Sequence, residues 1–141
     1  IPFWKWYMSK CDHVMVDRRG GISAMRKMIR DTRVILDSCR SIIIFPEGTR
    51  TPPGQKQTYH PGVAALYAKS NATVVPVALN SGVFWGRRQF LKKPGILTIE
   101  YLPPMPEGMG KKVFLAELES RIENATRKLE QEALVKLSTN K

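Results

Sequence analysis

The 141-residue sequence holds only two cysteines and two histidines. Cys11 and Cys39 form no C-x-x-C pair, and His13 and His60 complete no zinc-ligand spacing, which argues against a structural zinc site and a disulfide scaffold. The cysteines are expected as small buried hydrophobes of a reduced compartment. Long apolar runs are missing too. The longest, Ile42–Pro46 and Val74–Leu79, fall far short of the roughly 18 to 20 residues that span a bilayer. Acidic residues are scarce, 12 against 23 Lys and Arg, for a formal charge of +11. Ile1 is not an initiating residue and Ile1–Tyr7 lacks the layout of a signal peptide, so the chain is expected to be a piece of a longer protein.

With 43% hydrophobic and 25% charged residues, the composition is that of a globular domain able to bury a core, not of a disordered basic tail. The basic excess concentrates in residues 1–60, with 11 cations against 5 acids. No repeat or linker divides the chain, so residues 1–141 read as a single domain.

Val14-Met15-Val16 reads as a buried strand emptying into Asp17-Arg18-Arg19-Gly20-Gly21. Ile22, Met25, Met28, Ile29, Thr32, Ile35 and Leu36 then recur at helical steps, with Arg26, Lys27, Arg30 and Arg33 on the other faces. Ile42–Phe45, continuously apolar and β-branched, predicts a strand covered on both sides, the signature of a parallel sheet. Pro61 opens a helix running to about Asn71. Thr73–Leu79 and Ile96–Leu102 read as two further strands. Phe114, Leu118, Ile122, Ala125, Leu129 and Ala133 mark the stripe of a long last helix, with Glu117/Arg121, Glu123/Arg127 and Lys128/Glu132 as spaced ion pairs. The order β-α-β-α-β-β-α predicts an α/β fold, a mainly parallel sheet covered by helices with right-handed crossovers.

The most informative segment is Phe45-Pro46-Glu47-Gly48-Thr49-Arg50-Thr51, where a strand delivers its last residues to a loop, the usual ligand end of such sheets. Arg50 offers a fork for two phosphate oxygens, Gly48 allows close backbone approach, and Glu47 can orient the arginine or bind a hydroxyl. A strand-end turn with an exposed salt bridge fits the same residues. The Phe84–Lys93 stretch, which interleaves Phe84, Trp85 and Phe90 with Arg87, Arg88, Lys92 and Lys93, has three readings: an anionic membrane surface, a nucleic-acid contact, or a solvated loop with one or two rings tucked into the core.

Phe45–Arg50 resembles the third motif of the 1-acylglycerol-3-phosphate acyltransferases. Val14-Met15-Val16-Asp17-Arg18 resembles the second, Val74–Ala78 the fourth, and the aromatic Ile1–Tyr7 stretch the segment that precedes the second motif in bacterial members. The resemblance spans roughly residues 1–102 and implies a glycerolipid acyltransferase-like fold. It also implies acyl transfer from acyl-CoA or acyl carrier protein to the free hydroxyl of lysophosphatidic acid, giving phosphatidic acid in phospholipid synthesis. By the same resemblance Arg18, Glu47, Gly48, Thr49 and Arg50 hold the substrate phosphate, and Val75, Pro76 and Val77 belong to the acyl-chain region. No metal or prosthetic group is implied.

The family's first motif, a His and an Asp separated by four residues, supplies the catalytic base and is not in this sequence. Asp17 follows His13 after only three residues, and His60 has Ala65 at that spacing. The base, which needs a carboxylate to fix its imidazole, is therefore expected upstream of Ile1, and the chain alone is expected to be inactive. Given the resemblance, the Phe84–Lys93 loop and Trp4, Trp6 and Tyr7 are expected to face an anionic membrane, at the cytoplasmic face of a bacterial inner membrane, with no nucleic-acid partner. The rival reading is a non-catalytic basic module that binds anionic lipid or nucleic acid.

Overall fold

The structure, a computed structural model, describes residues 21–139 together with Phe3. Its residues fall into two compact units, 1–43 and 44–141. Val14–Val16, Arg18, His13, Cys11 and the aromatic residues Trp4, Trp6 and Tyr7 lie outside the described residues.

In the first unit, α1 (Gly21–Asp37) follows the periodicity of its sequence. Thr32 is buried, Met25, Met28, Ile29, Ile35 and Leu36 are half-buried, and Ile22, at the start of the stripe, is exposed. The helix ends in a six-residue closure: the Arg40 N–H donates to Ile35 O (3.4 Å) and the Cys39 N–H to Leu36 O (2.9 Å), with Cys39 in the left-handed region at φ 57°. This is the Schellman pattern, whose left-handed residue is usually glycine. It turns Cys39 outward, so this cysteine is exposed rather than the buried hydrophobe expected of it.

The second unit is built around α4 (Lys111–Thr139), 29 residues rich in Leu, Ala, Lys and Glu, all strong helix formers. Against it pack α2 (Pro61–Ser70) and β1 (Val77–Leu79), with the short α3 (Ser81–Phe84) near its far end. β1 pairs antiparallel with β2 (Ile99–Tyr101), in the register Val77 to Tyr101, Ala78 to Glu100 and Leu79 to Ile99. Backbone bonds continue the ladder past the strand ends, from Leu102 N–H to Pro76 O (2.9 Å) and from Met105 N–H to Val74 O (2.8 Å).

The expected mainly parallel sheet is not found among the described residues, whose only sheet is this antiparallel pair. A parallel pair needs a crossover long enough to return the chain to the same end, whereas α3 and the loop after it reverse the chain directly. Ile42–Phe45 forms no strand: Ile43 is 85% and Phe45 71% exposed. The other strand expected before it, Val14–Val16, lies outside the described residues, and a strand exists only through its ladder.

The core joins Tyr59, Ala64, Met105, Phe114 and Leu118, flanked by Val63, Tyr67, Val74, Met109, Leu115 and Ile122. Of the predicted α4 stripe, Phe114, Leu118, Leu129 and Ala133 are buried. Tyr67 stacks on Phe114 with ring centroids 3.9 Å apart. Its hydroxyl donates to Pro106 O (2.7 Å) and accepts from the Met109 N–H (2.9 Å), pinning the turn that leads into α4. Because Phe114 has no solvent exposure, Phe114→Ala is expected to cost about 3–5 kcal/mol. Urea unfolding measures this, and a loss well under that range would show that Phe114 is not the centre of the core.

Candidate functional site

Residues 45–50 form a reverse turn held from two sides. Within it, the Gly48 N–H donates to Phe45 O (3.0 Å), and Gly48 sits at φ 63°, a conformation that favours glycine. From outside, the His60 N–H donates to Pro46 O (2.9 Å). The His60 imidazole lies over Gly48 so closely that a Cβ there would stand 2.7 Å from Cδ2 and 2.8 Å from Nε2. The close approach for which Gly48 was singled out is therefore occupied by a side chain of the same protein.

Tyr59 and His60 act as a pair. In an extended segment adjacent side chains point to opposite faces, so the Tyr59 ring is buried while His60 is exposed against the turn. The Tyr59 hydroxyl donates to Glu123 Oε1 on α4 (3.1 Å). Burial, and after it the negative charge of Glu123, push its phenol far above the ordinary tyrosine range, so it stays a proton donor.

Residues 51–58 run from the turn to this pair as a strap. Pro52-Pro53-Gly54-Gln55 makes a tight turn, with Gln55 N–H to Pro52 O (3.1 Å) and Gly54 at φ 75°. The Gly54 N–H donates to Glu130 Oε2 (3.0 Å) and Lys56 pairs with Glu119 (2.8 Å). Glu119, Glu123 and Glu130 are spaced four and seven apart, one face of a helix; Glu119 and Glu130 each take one residue of the strap, and Glu123 takes Tyr59 at its end. Sequence reading missed this stripe. It assigned Glu123 to Arg127, whereas Glu123 accepts from Tyr59; the spacing of the three glutamates was the available signal. Glu117 and Arg121 do pair as expected (2.7 Å).

The sequence-selected residues are placed as follows. Glu47 is half-buried and accepts a hydrogen bond from the Thr51 hydroxyl, so it does not orient Arg50. Burial, and after it the charge of Glu123, raise the Glu47 carboxyl above its ordinary value. Thr49 and Arg50 are exposed, and Arg50 makes no ion pair among the described residues. In the apolar segment Pro76 is fully buried, whereas Val75 is exposed and Val77 half-buried. The turn thus brings Glu47, Gly48, Thr49 and Arg50 together with His60, a residue that sequence reading set aside because it lacked a carboxylate at the catalytic spacing. Chemically the arrangement offers a solvent-facing guanidinium on a turn whose backbone His60 holds, and a guanidinium is suited to an anion. Among the described residues no group of three or more His, Cys, Asp or Glu side chains is placed to hold a metal ion.

A family model described as Acyltransferase matches residues 1–80, and the chain belongs to that family. Its relatives narrow the comparison. A 1-acyl-sn-glycerol-3-phosphate acyltransferase of Pseudomonas aeruginosa is 32% identical over 124 residues, which cover 87% of this chain and 48% of that protein. An enzyme of the same name from Limnanthes alba is 33% identical over 66% of this chain and 34% of its own length. One from Borreliella burgdorferi is 26% identical over 100% of this chain and 54% of its own. The chain thus spans about a third to a half of these curated relatives. No solved structure matches it significantly.

Two outcomes follow from the geometry of the turn. Gly48→Ala is expected to destabilise by more than the roughly 1–2 kcal/mol of a left-handed alanine, because the new methyl meets the imidazole. In a His60→Ala background the penalty falls to that backbone cost alone. A double-mutant cycle by urea unfolding measures the difference, and equal penalties in both backgrounds would remove His60 from the turn. For Glu47, a carboxyl raised in the folded state binds its proton more tightly there than in the unfolded chain. It therefore lowers stability as pH rises from the ordinary glutamate range through the raised value. Glu47→Gln is expected to be more stable than the parent near about pH 7, with the gap closing toward about pH 4. A gap that stays constant over that range would contradict the shift.

Proposed function

We propose that this chain carries the acceptor-phosphate and acyl-binding part of a lysophosphatidic acid acyltransferase. The reaction joins the free hydroxyl of 1-acylglycerol 3-phosphate to the acyl group of acyl-CoA or acyl carrier protein. The hydroxyl oxygen bonds to the thioester carbonyl carbon, a general base takes its proton, and the carrier leaves as a thiol, giving phosphatidic acid. Acyl carrier and lysophosphatidic acid are both substrates, and no metal or prosthetic group takes part in this proposed route. The enzyme works at a membrane, at the cytoplasmic face where its donors are soluble.

The observation that carries this reading is the turn 45–50, which presents Arg50 to solvent from a backbone held by the His60 N–H and covered at Gly48 by the His60 ring, in a chain of the acyltransferase family. In the proposal Arg50 holds the acceptor phosphate. Gly48 and Thr49 form the floor of the site, and Glu47 accepts a hydrogen bond from the glycerol hydroxyl side. Val75 and Val77, which leave the core while Pro76 stays in it, line the acyl chain. Support for the substrate comes from the names of the relatives and from the phosphate-matching geometry of arginine. The imidazole–carboxylate pair that would take the hydroxyl proton is not formed by His13 or His60 at the family spacing, so the proposed role of this chain is to hold and align the acceptor.

The test is competition. Lysophosphatidic acid bound by the chain should be displaced by glycerol 3-phosphate and not by an oligonucleotide. Arg50→Lys should weaken that binding by about tenfold or more, since a point charge cannot reproduce a bidentate fork. Displacement by the oligonucleotide, or an Arg50→Lys variant that binds as the parent does, would contradict the proposal.

A further inference from the structure

Residues 81–99 contain no Asp or Glu and four cations, Arg87, Arg88, Lys92 and Lys93. The root of this stretch is firmly built. Val83 and Phe84 pack on Ala133 and Leu137 of α4. The buried Asn80 side chain donates to Ile96 O (3.3 Å) and accepts from the Thr98 N–H (2.8 Å), joining the two ends of the stretch. Higher up, the Lys93 N–H donates to Phe84 O (3.0 Å), and Gly95 lies against the Phe84 ring with no room for a Cβ. One aromatic residue, Phe84, is thus inside as a plug for the neck.

The other apolar side chains point away from the core. Trp85 is 65%, Phe90 95% and Leu91 81% exposed. The ring tucked into the core is therefore Phe84 and not Trp85. Lys92 lies over the Trp85 ring, its Nζ 5.0 Å from the centroid, and donates to Phe90 O (3.3 Å), so cation and rings share one small surface. A loop tied at its neck in this way has a defined shape, and its exposed tips are part of that shape.

The chemistry of the tip selects its partner. A second copy of the chain would bring four cations against four cations. A single strand of nucleic acid would use ring stacking and phosphate contacts, but Leu91 has no ring to stack. A bilayer interface with anionic headgroups accommodates all of them: Phe90 and Leu91 in the acyl boundary, Trp85 at headgroup level, and the cations among the phosphates. We propose that the loop Trp85–Lys93 is an interfacial docking element that seats the chain on an anionic lipid surface. This goes beyond the assignment of the turn 45–50 to acyl transfer, since it needs neither substrate nor turnover, and either can fail alone.

The experiment is co-sedimentation of the chain with vesicles of phosphatidylglycerol and phosphatidylcholine in equal parts, against phosphatidylcholine alone. The mixed vesicles should bind far more chain. Phe90→Ser with Leu91→Ser should weaken that binding by at least about tenfold, from lost apolar burial. Replacing Arg87, Arg88, Lys92 and Lys93 by Gln should weaken it by about fivefold for each cation, with the effect shrinking in high salt. Both variants should keep the parent melting temperature, since the side chains they remove are exposed. As a measurement independent of those variants, brominated lipid should quench fluorescence of the parent more than that of Trp85→Phe. Vesicle binding untouched by the serine pair, equal quenching in parent and Trp85→Phe, or an oligonucleotide that binds more tightly than the mixed vesicles would each overturn the proposal.

Discussion

The turn at residues 45–50 depends on a neighbouring pair of residues that face opposite ways. Tyr59 is buried in the core with its hydroxyl on Glu123, and His60 lies outside with its N–H on Pro46 O and its ring on Gly48. Extended backbone forces this alternation, so fixing the tyrosine also fixes the histidine. Burial, and after it the charge of Glu123, raise the Tyr59 phenol above its ordinary range, so the hydroxyl stays a donor to Glu123. Strap and turn are thereby referred to α4, the element with the largest buried stripe, instead of depending on the turn's own bonds.

That arrangement explains how an exposed loop can serve as a precise binding surface. Arg50 and Thr49 are solvent-facing, and exposed loop side chains alone give little preorganisation. Here the backbone beneath them is constrained by the Gly48 turn, by the His60 bond and ring, by the strap's contacts with Glu119 and Glu130, and by the Tyr59 bond to Glu123. A rigid backbone lowers the ordering cost of binding. The cation-rich Trp85–Lys93 loop is rooted separately, on Ala133 and Leu137 toward the far end of the same helix. One helix thus supports both the proposed acceptor site and the proposed lipid contact. Among the described residues no helix is long and apolar enough to cross a membrane.

Much of the helical part was legible in the sequence. The stripes Met25–Leu36 and Phe114–Ala133 are self-contained periodic signals, because a helix makes its own backbone bonds, and both helices are found. Strands are less legible because they need partners. Ile42–Phe45 has the residues of a buried strand and no ladder among the described residues, and Thr73–Leu79 yields only Val77–Leu79 as strand. The fourth motif was half-readable: its alternation puts Pro76 and Ala78 inside and leaves Val75 exposed. The segment around Glu47–Arg50 stood out by composition, but the part of His60 did not, since the strap and Tyr59 separate it from Arg50. Cys39 misled for a related reason. Its burial was inferred from residue type, while its place was decided by the left-handed closure of α1.

Backbone amide resonances of the chain followed during titration with glycerol 3-phosphate bear most directly on where an acceptor phosphate sits. If the turn held by Tyr59 and His60 is the site, the signals of Gly48, Thr49, Arg50 and His60 should move together and saturate with one binding constant, leaving Trp85–Lys93 unmoved. Saturable shifts confined to Trp85–Lys93, with the 45–50 turn silent, would contradict it.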